Sequence, residues 1–460
     1  MEHTGRKELI ESCFRDCVGG DVLLLQCMGL YSMGNIFRDD RPRWYYWEVI
    51  PYSIGLATIT FALIFDTRNV YDTAQVNFML SIEVAAAVFT VTLAVFKVQS
   101  IYGTGSIDPL DGSLNGYRIL LRRKELYDIL KVCHQRWIIQ TSRSAITERA
   151  IENAKNARVL RMCYAVAVIG TVGSYNLRPY ILYLKFRLSE TNDSFDFSQT
   201  VYPAHYPFVL NSFTQYFLCA AWEHMGLYFL ALWWISADCL FTQFSTYFAI
   251  EFNILANDIR CIDLTTKSTS PRNTVIIVKE LKRIIREHVK LLSYVHAMEE
   301  WYNPIIFATI LLNGLNLCSL LYSLQYVFHY LFNEFYRIIY ATFRFLHTNQ
   351  LKYLQRIAAN NWKDVIKNTS HVAATIMQTI IFCSYAQYLS DEINGFRQAV
   401  YECSWTNFNL STQAIILVIM IHTERDYTFS AYGLFNLNMG QVTTIFSTAM
   451  RFLTMLRNLT

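Results

Sequence analysis

The stretch QVTTIFSTAMRFLTMLRNLT, residues 441–460, reads as an apolar helix with a single polar stripe. From Gln441, the polar or flexible residues Thr444, Thr448, Arg451, Met455 and Asn458 follow at steps of 3, 4, 3, 4 and 3. At about 100° per residue these positions share one arc of about 100°. Val442, Ile445, Phe446, Phe452, Leu453 and Leu456 make up the apolar remainder. Hydrocarbon cannot satisfy a polar face, so the stripe needs water or a polar neighbour. Two readings fit it: the wall of a water-filled pore, or packing through small polar residues against other helices.

The rest of the chain has the composition such a helix requires. Of 460 residues, 53% are hydrophobic, 15% aromatic and 17% charged, too apolar for a string of soluble domains. Apolar runs of about 20 residues, the length that spans a bilayer, predict crossings near 44–65, 78–98, 159–184, 213–241, 302–326, 371–390 and 429–457. The expected fold is an all-α membrane protein with seven transmembrane helices in one domain, 1–460. The net charge of +4, with no basic run interleaved with stacking aromatics, excludes nucleic acid as an expected partner. Lipid is the expected surroundings.

Orientation follows from lysine and arginine. Residues 1–43 hold Arg6, Lys7, Arg15, Arg38, Arg41 and Arg43, against Arg68 alone in the first loop. The second and fourth connections, 99–158 and 242–301, are basic, whereas 185–212 has only Lys185 and Arg187. The N-terminus is predicted cytoplasmic, and seven crossings put the C-terminus outside. The first residues are polar and charged, with no cleavable signal. Eleven cysteines fall in predicted membrane or cytoplasmic segments, so no extracellular disulfide framework is expected.

The cytoplasmic connections are helical in pattern, with extensions expected at about 242–301 and 391–421. Leu126, Ile129 and Leu130 share one side of Arg122–Leu130, either packed inward or lying on the membrane surface. Ile284, Ile285, Val289, Leu292, Val295 and Met298 repeat the theme in Lys279–Trp301.

Chemistry-bearing motifs are few. Glu223 and His224 form an ionisable pair inside a predicted crossing, which points to a ligand pocket or a buried hydrogen bond. No His or Cys stands three or four residues from His224 to complete a metal site. Nucleophile-elbow, zinc-protease and phosphate-loop motifs do not occur, so neither an enzyme nor a bound cofactor is expected. Phe213, Tyr216, Phe217 and Ala220 lie on one helical face. That face fits an apolar ligand cavity and ordinary packing equally well.

Several stretches resemble the insect odorant receptor family. Ser236-Ala-Asp238-Cys-Leu-Phe241 is similar to the family's Asp-x-Leu-Phe signature, and Ile285–Leu292 to its lone His (here His288) before an apolar helix. Gln378, Cys383, Tyr385 and Val400–Trp405 resemble the sixth crossing and its Tyr-x-Ser-x-Trp stretch. Ala431, Gly433, Phe435, Leu437, Ile445, Thr454, Leu456 and Arg457 follow the family's final helix. The chain resembles a divergent odorant-tuning subunit, not the co-receptor.

The resemblance implies a tetrameric, odorant-gated cation channel in the cell membrane, in the dendrite of an olfactory sensory neuron. It implies a small volatile odorant as ligand and a co-receptor subunit in a heterotetramer. The final helix would line the pore, with Met455 and Leu459 at a hydrophobic gate, Asn458 near the conduction path, and Gln441, Thr448 and Arg451 along the wall. The odour pocket would map onto Ile82, Phe89, Ser174, Tyr175, Phe213, Tyr216, Phe217, Ala220 and Thr375, with His224 nearby. Two features depart from the family. Arg451 replaces a small hydroxyl, and residues 327–370 are far longer than the family's fifth loop and carry six basic residues. That length is either an extracellular insertion or an error in the coding sequence. A gustatory receptor channel shares the Ala-x-Gly-x-Phe pattern, and a G-protein-coupled receptor would place its N-terminus outside.

The orientation makes a testable claim on three Asn-x-Ser/Thr sequons. Asn192 and Asn368 should be glycosylated and Asn409 should not. Glycosidase digestion should shift the gel mobility of the expressed protein, with Asn192→Gln and Asn368→Gln each removing one step. A step removed by Asn409→Gln would reverse the orientation.

Overall fold

The computed structural model describes residues 19–20, 22–27, 30–37, 50, 54, 57–58, 115–142, 148–188, 195–197, 200–201, 206, 208–262, 271–343, 348–403 and 405–459. For residues 115–125, 141–142, 271–273, 319–320, 322–343, 348–368 and 456–459 the backbone alone is described. The expected crossings at 44–65 and 78–98, with Ile82 and Phe89, lie outside these residues apart from isolated positions, as does Asn192.

Among the described residues the longer helices follow in this order: α1 Asn115–Ser142, α2 Glu148–Asn176, α3 Arg178–Leu188, α4 Phe213–Ile262, α5 Pro271–Phe343, α6 Thr348–Glu402, α7 Leu410–His422 and α8 Met439–Leu459. Among the described residues, three helical segments are long and apolar enough to cross a membrane: Glu148–Leu188, Phe213–Ile262 and Thr369–Glu402. The first bends at Leu177, because Pro179 contributes no N–H to the helical ladder.

Helix α4 is the axis of the bundle. It packs on α2, α5 and α6, and α6 packs in turn on α2, α5 and α8. From Leu230 to Phe252 every side chain of α4 is buried, as expected of a helix apolar on all sides. At about 1.5 Å per residue its 50 residues run about 75 Å, far beyond the bilayer. The described part of 242–301, expected as a cytoplasmic extension, falls on the C-terminal part of α4 and the start of α5.

On α5, the buried positions Leu281, Ile284, His288, Leu291, Val295, Met298 and Tyr302 recur at alternating steps of 3 and 4. This is the coiled-coil seam period. Ile285, Val289 and Leu292, which the sequence put on the same apolar face, line a groove of about 630 Å³ with α7. Helix α1 packs inward through Leu126, Leu130, Cys133 and Trp137, not flat on a membrane surface. Arg136 explains its docking: the guanidinium bonds Glu251 of α4 at 3.0 Å and Glu287 of α5 at 2.6 Å.

Three boundaries differ from the sequence reading. Residues 327–370, expected as a connection, are helical except at 344–347, which lie outside the described residues. Between Gly314 and Gly395 the chain has neither glycine nor proline, so nothing there halts a helix. The extension expected at 391–421 is interrupted between α6 and α7. Asn409 caps α7 there, its side chain accepting from the Thr412 N–H. The final segment starts at Met439, not 429. Residues 429–438 form a hairpin in which Ser430–Ala431 pair antiparallel with Phe435–Asn436.

Tyr432 and Gly433 turn that hairpin at φ of 52° and 67°, the left-handed region glycine tolerates best. Its backbone is pinned by side chains: Phe429 N–H donates to Ser390, and Tyr427 exchanges two hydrogen bonds with Asn394. Glu299 accepts from Ser430 and Tyr427.

His288 lies at a seam position in the predicted cytoplasmic extension, stacked on Phe396 at 4.2 Å between ring centroids. Burial pushes its pKa down from 6.5 to about 4. The unfolded chain therefore binds a proton that the folded protein refuses. Stability should be fully present above pH 6.5 and fall as pH drops towards 4, with about 2 kcal/mol lost by pH 5. Thermal unfolding of detergent-solubilised protein at pH 7.5 and 5 should show the loss, and His288→Leu should flatten it.

Candidate ligand site and final helix

The N-terminal end of α4 carries the aromatic face that the sequence singled out, and the fold fills it. Tyr183 of α3 meets Phe213 and Phe217 edge-on, each at 5.4 Å. Phe195 stands 5.2 Å from both Phe213 and Tyr216. Phe186 and Phe197 close the cluster around Phe195. Tyr216 and Ala220 are buried, whereas Phe213 remains exposed. The expected pocket residues Phe213, Tyr216 and Phe217 thus come together in an aromatic cluster whose other rings sequence reasoning had missed. The spacing of Tyr180, Tyr183 and Phe186, three residues apart on α3, was the available signal.

Adjacent residues Glu223 and His224 grip two different outer segments. Glu223 is 1% exposed. One oxygen accepts from the hydroxyls of Thr200 at 2.9 Å and Tyr206 at 2.5 Å, the other from Val201 N–H at 2.8 Å. His224 Nε2 lies 2.9 Å from the Asn176 carbonyl, so that nitrogen carries the proton, and its ring stacks on Tyr180 at 5.6 Å. His224 thus makes the kind of buried hydrogen bond that the sequence allowed for. No group of three or more metal-ligating side chains occurs among the described residues.

The remaining expected pocket residues lie apart. Ser174 donates to the Thr171 carbonyl within α2, close in sequence to Tyr175 and Asn176. Thr375 is buried on α6 and donates to the His371 carbonyl. That residue lies on the α5–α6 contact near Asn316, which approaches His371 at 3.4 Å.

Deeper in the bundle, a polar node joins four helices. Asp238 on α4 accepts from Tyr164 of α2 at 2.6 Å and from the Gln378 amide of α6 at 2.7 Å. Trp234 donates to the Tyr164 hydroxyl at 2.6 Å. Asn313 of α5 donates to Gln378 at 2.8 Å and to Thr379 at 3.3 Å. The Asp238 signature was visible in the sequence, but its partners were not.

Helix α8 presents its stripe away from the subunit. Ala449 is buried, and Val442, Ile445 and Leu453 are partly covered where α8 meets α5 and α6. Thr444, Thr448, Arg451 and Met455 are exposed, and Gln441 is half-buried. The Thr444 and Thr448 hydroxyls donate only to carbonyls of their own helix. Among the described residues, no other helix covers Thr444, Thr448, Arg451 or Met455. Asn458 and Leu459 lie on the last turn, where the backbone alone is described. Asn368 falls on α6 in a part described by its backbone.

Long apolar helices held by buried acids, with a terminal helix left open, are the scaffold of a multi-pass membrane protein. The family model of the 7tm odorant receptors matches residues 113–351 and 353–450, and the chain belongs to that family. It is similar to odorant receptor 13a of Drosophila melanogaster, 20% identical over 232 residues, which is 48% of each chain. It is also similar to odorant receptor 47a of the same species, 22% identical over 263 residues, 56% of this chain and 58% of that one. The chain thus spans about half the length of the curated relatives it matches. The solved insect olfactory receptor OR5 from Machilis hrabei shares the fold, with a TM-score of 0.70 at 11% identity over 98% of this chain and 100% of that one. The same receptor in complex with eugenol gives 0.66 at 11% identity over 95% and 98%.

Removing the Glu223 carboxylate strands buried donors, each costing about 1–3 kcal/mol. Glu223→Ala should lower stability by about 3 kcal/mol or more in thermal unfolding of the solubilised protein. Glu223→Gln, which keeps one acceptor, should cost less than half of that.

Proposed function

We propose that this chain is the odorant-tuning subunit of an odorant-gated, non-selective cation channel that works in a heterotetramer with a co-receptor. The observation that carries the reading is the terminal helix: a stripe of Thr444, Thr448, Arg451 and Met455 left exposed by its own subunit. In a membrane such a stripe requires either water or another chain. A ring of such helices supplies both, with a water-filled axis inside and neighbouring subunits at the sides.

In this reading the seven crossings run from a cytoplasmic N-terminus to an external C-terminus, with Asn192 and Asn368 outside. Met455 and Leu459 form a hydrophobic constriction that closes by dewetting. A small volatile binds near the outer aromatic cluster, among Ser174, Tyr175, Phe213, Tyr216, Phe217, Ala220 and His224, with Ile82, Phe89 and Thr375 contributing from other helices. Binding favours the open state by the difference in the ligand's affinity for the two states. The family membership, and a fold shared with a receptor solved in complex with eugenol, support a small volatile as ligand.

Arg451 fits this scheme in a heteromer, where fewer copies place fewer positive charges at the pore. Co-expression with a co-receptor should give odour-evoked cation currents. In such cells Arg451→Gln should raise cation conductance, and Met455→Ala should change gating without reordering ligand preference. Silence across a broad odour panel despite surface expression, or a reordered preference in Met455→Ala, would count against the assignment.

A further inference from the structure

The polar node at Asp238 has a direction. Trp234 donates to Tyr164, and Tyr164 donates to Asp238. From the other side, Asn313 donates to Gln378, and Gln378 donates to the same Asp238 oxygen. Both chains of hydrogen bonds end on one carboxylate that is 1% exposed. Donors arrive directly from α2 and α6, and α5 joins through Gln378, so the relative placement of these helices converges on a single atom.

At the far end of the chain sits Asn313. Both hydrogens of its amide are committed, to Gln378 and Thr379. Its buried Oδ1 accepts no hydrogen bond from the described residues. A buried acceptor without a donor costs about 1–3 kcal/mol, and a network satisfied on one side only is a place where a second arrangement competes. One helical turn further along α5, Leu317 is buried and the Cys318 thiol points at the Ala449 carbonyl of α8, 3.9 Å away. Cys318 stands five residues on from Asn313, about 140° around the helix, so α5 meets α6 on one side and α8 on another. A small rotation of α5 that re-pairs Asn313 therefore moves the surface on which α8 rests.

We propose that Asn313 is the positioning residue through which the ligand-bearing helices α2, α4 and α6 set the state of the terminal helix. The inference rests on the channel reading above. In this arrangement Asn313 donates to Gln378 and holds α5 in one register against α8. In the other arrangement its idle carbonyl gains a donor and the register shifts. Asn313 touches neither ligand nor ions, so it alters the balance between states and leaves ligand discrimination alone.

The test uses the full chain co-expressed with a co-receptor, with eugenol and a panel of aliphatic alcohols and esters as probes. The readouts are ligand-independent current, half-maximal concentration and rank order of ligands. Asn313→Leu and Gln378→Leu should each change the ligand-independent current by about threefold or more. In a two-state channel, more spontaneous opening goes with a lower half-maximal concentration, so the two readouts should move in opposite directions. The double variant should go no further than either single one, because the chain is already cut. Asn313→Ser, which keeps one donor in less volume, should shift the current less than Asn313→Leu. It also provides the measurement should the leucine variant fail to reach the surface.

Smaller currents with unchanged half-maximal concentration and unchanged leak would make Asn313 merely structural and overturn the proposal. So would additive effects in the double variant, or a changed rank order. Odour-evoked currents from the unmodified chain keep failure of this proposal distinct from failure of the channel reading.

Discussion

A carboxylate away from water must spend its lone pairs on protein donors, and that requirement organises this molecule. Helix α4 carries three such groups, Glu223, Asp238 and Glu251, each 1% exposed. They stand 15 and 13 residues apart, or about 22 and 20 Å along the axis, so each meets different neighbours. Glu223 takes its donors from residues 200–206 at the outer end. Asp238 takes them from α2 and α6. Glu251 takes them from Arg136 and Gln140 of α1 and from Tyr247 one turn away. Leaving any of these acids unpaired in the interior would cost several kcal/mol. The three sites therefore specify which helix lies against α4 at each level, while apolar contacts alone would tolerate sliding.

This division of labour suits a fold kept at 11% identity to a solved relative with a TM-score of 0.70. Large-to-large changes among apolar residues preserve a core as long as volume is kept. Register between long helices is more demanding. The α5 helix has 73 residues and α6 has 55, and two such rods in hydrocarbon have no hydrophobic reason to prefer one offset over another. Asn313 with Gln378, and Asn316 beside His371, provide one, because a shift by a turn breaks these contacts and strands their donors.

Much of this was legible from residue order. The stripe on the last helix, the aromatic face at Phe213, Tyr216 and Phe217, and the helical character of 242–301 all rest on 3.6-residue periodicity, which local sequence encodes. What failed did so for identifiable reasons. The start of the last helix was placed ten residues early because Phe429, Ala431 and Phe435 are apolar enough to pass for helix. The Tyr432-Gly433 turn is a weak signal beside Asn-Gly. Residues 327–370 were read as a connection because they lie between two expected crossings, although the absence of glycine and proline argued for helix. The partners of Asp238 lie 74 and 140 residues away, and no local pattern announces a pairing over that distance. Thr375 came from family resemblance alone, and the fold sets it on the α5–α6 contact, apart from the aromatic cluster.

Helix α8 shows the limit of reasoning from one chain. Its exposed side chains include Phe446, Met450 and Phe452 as well as the polar stripe. The hydrocarbon of a bilayer accepts the first group and rejects the second, so no single environment suits the whole helix. A helix standing alone in lipid would leave Arg451 at a cost of about 2.5 kcal/mol or more. A helix buried between subunits would cover Thr444 and Thr448, whose hydroxyls already bond their own backbone and gain little from new partners. Only a position with lipid or a neighbouring chain on the aromatic side and water on the stripe side satisfies both sets of residues. An assembly closed about an axis, as proposed above, would create that position.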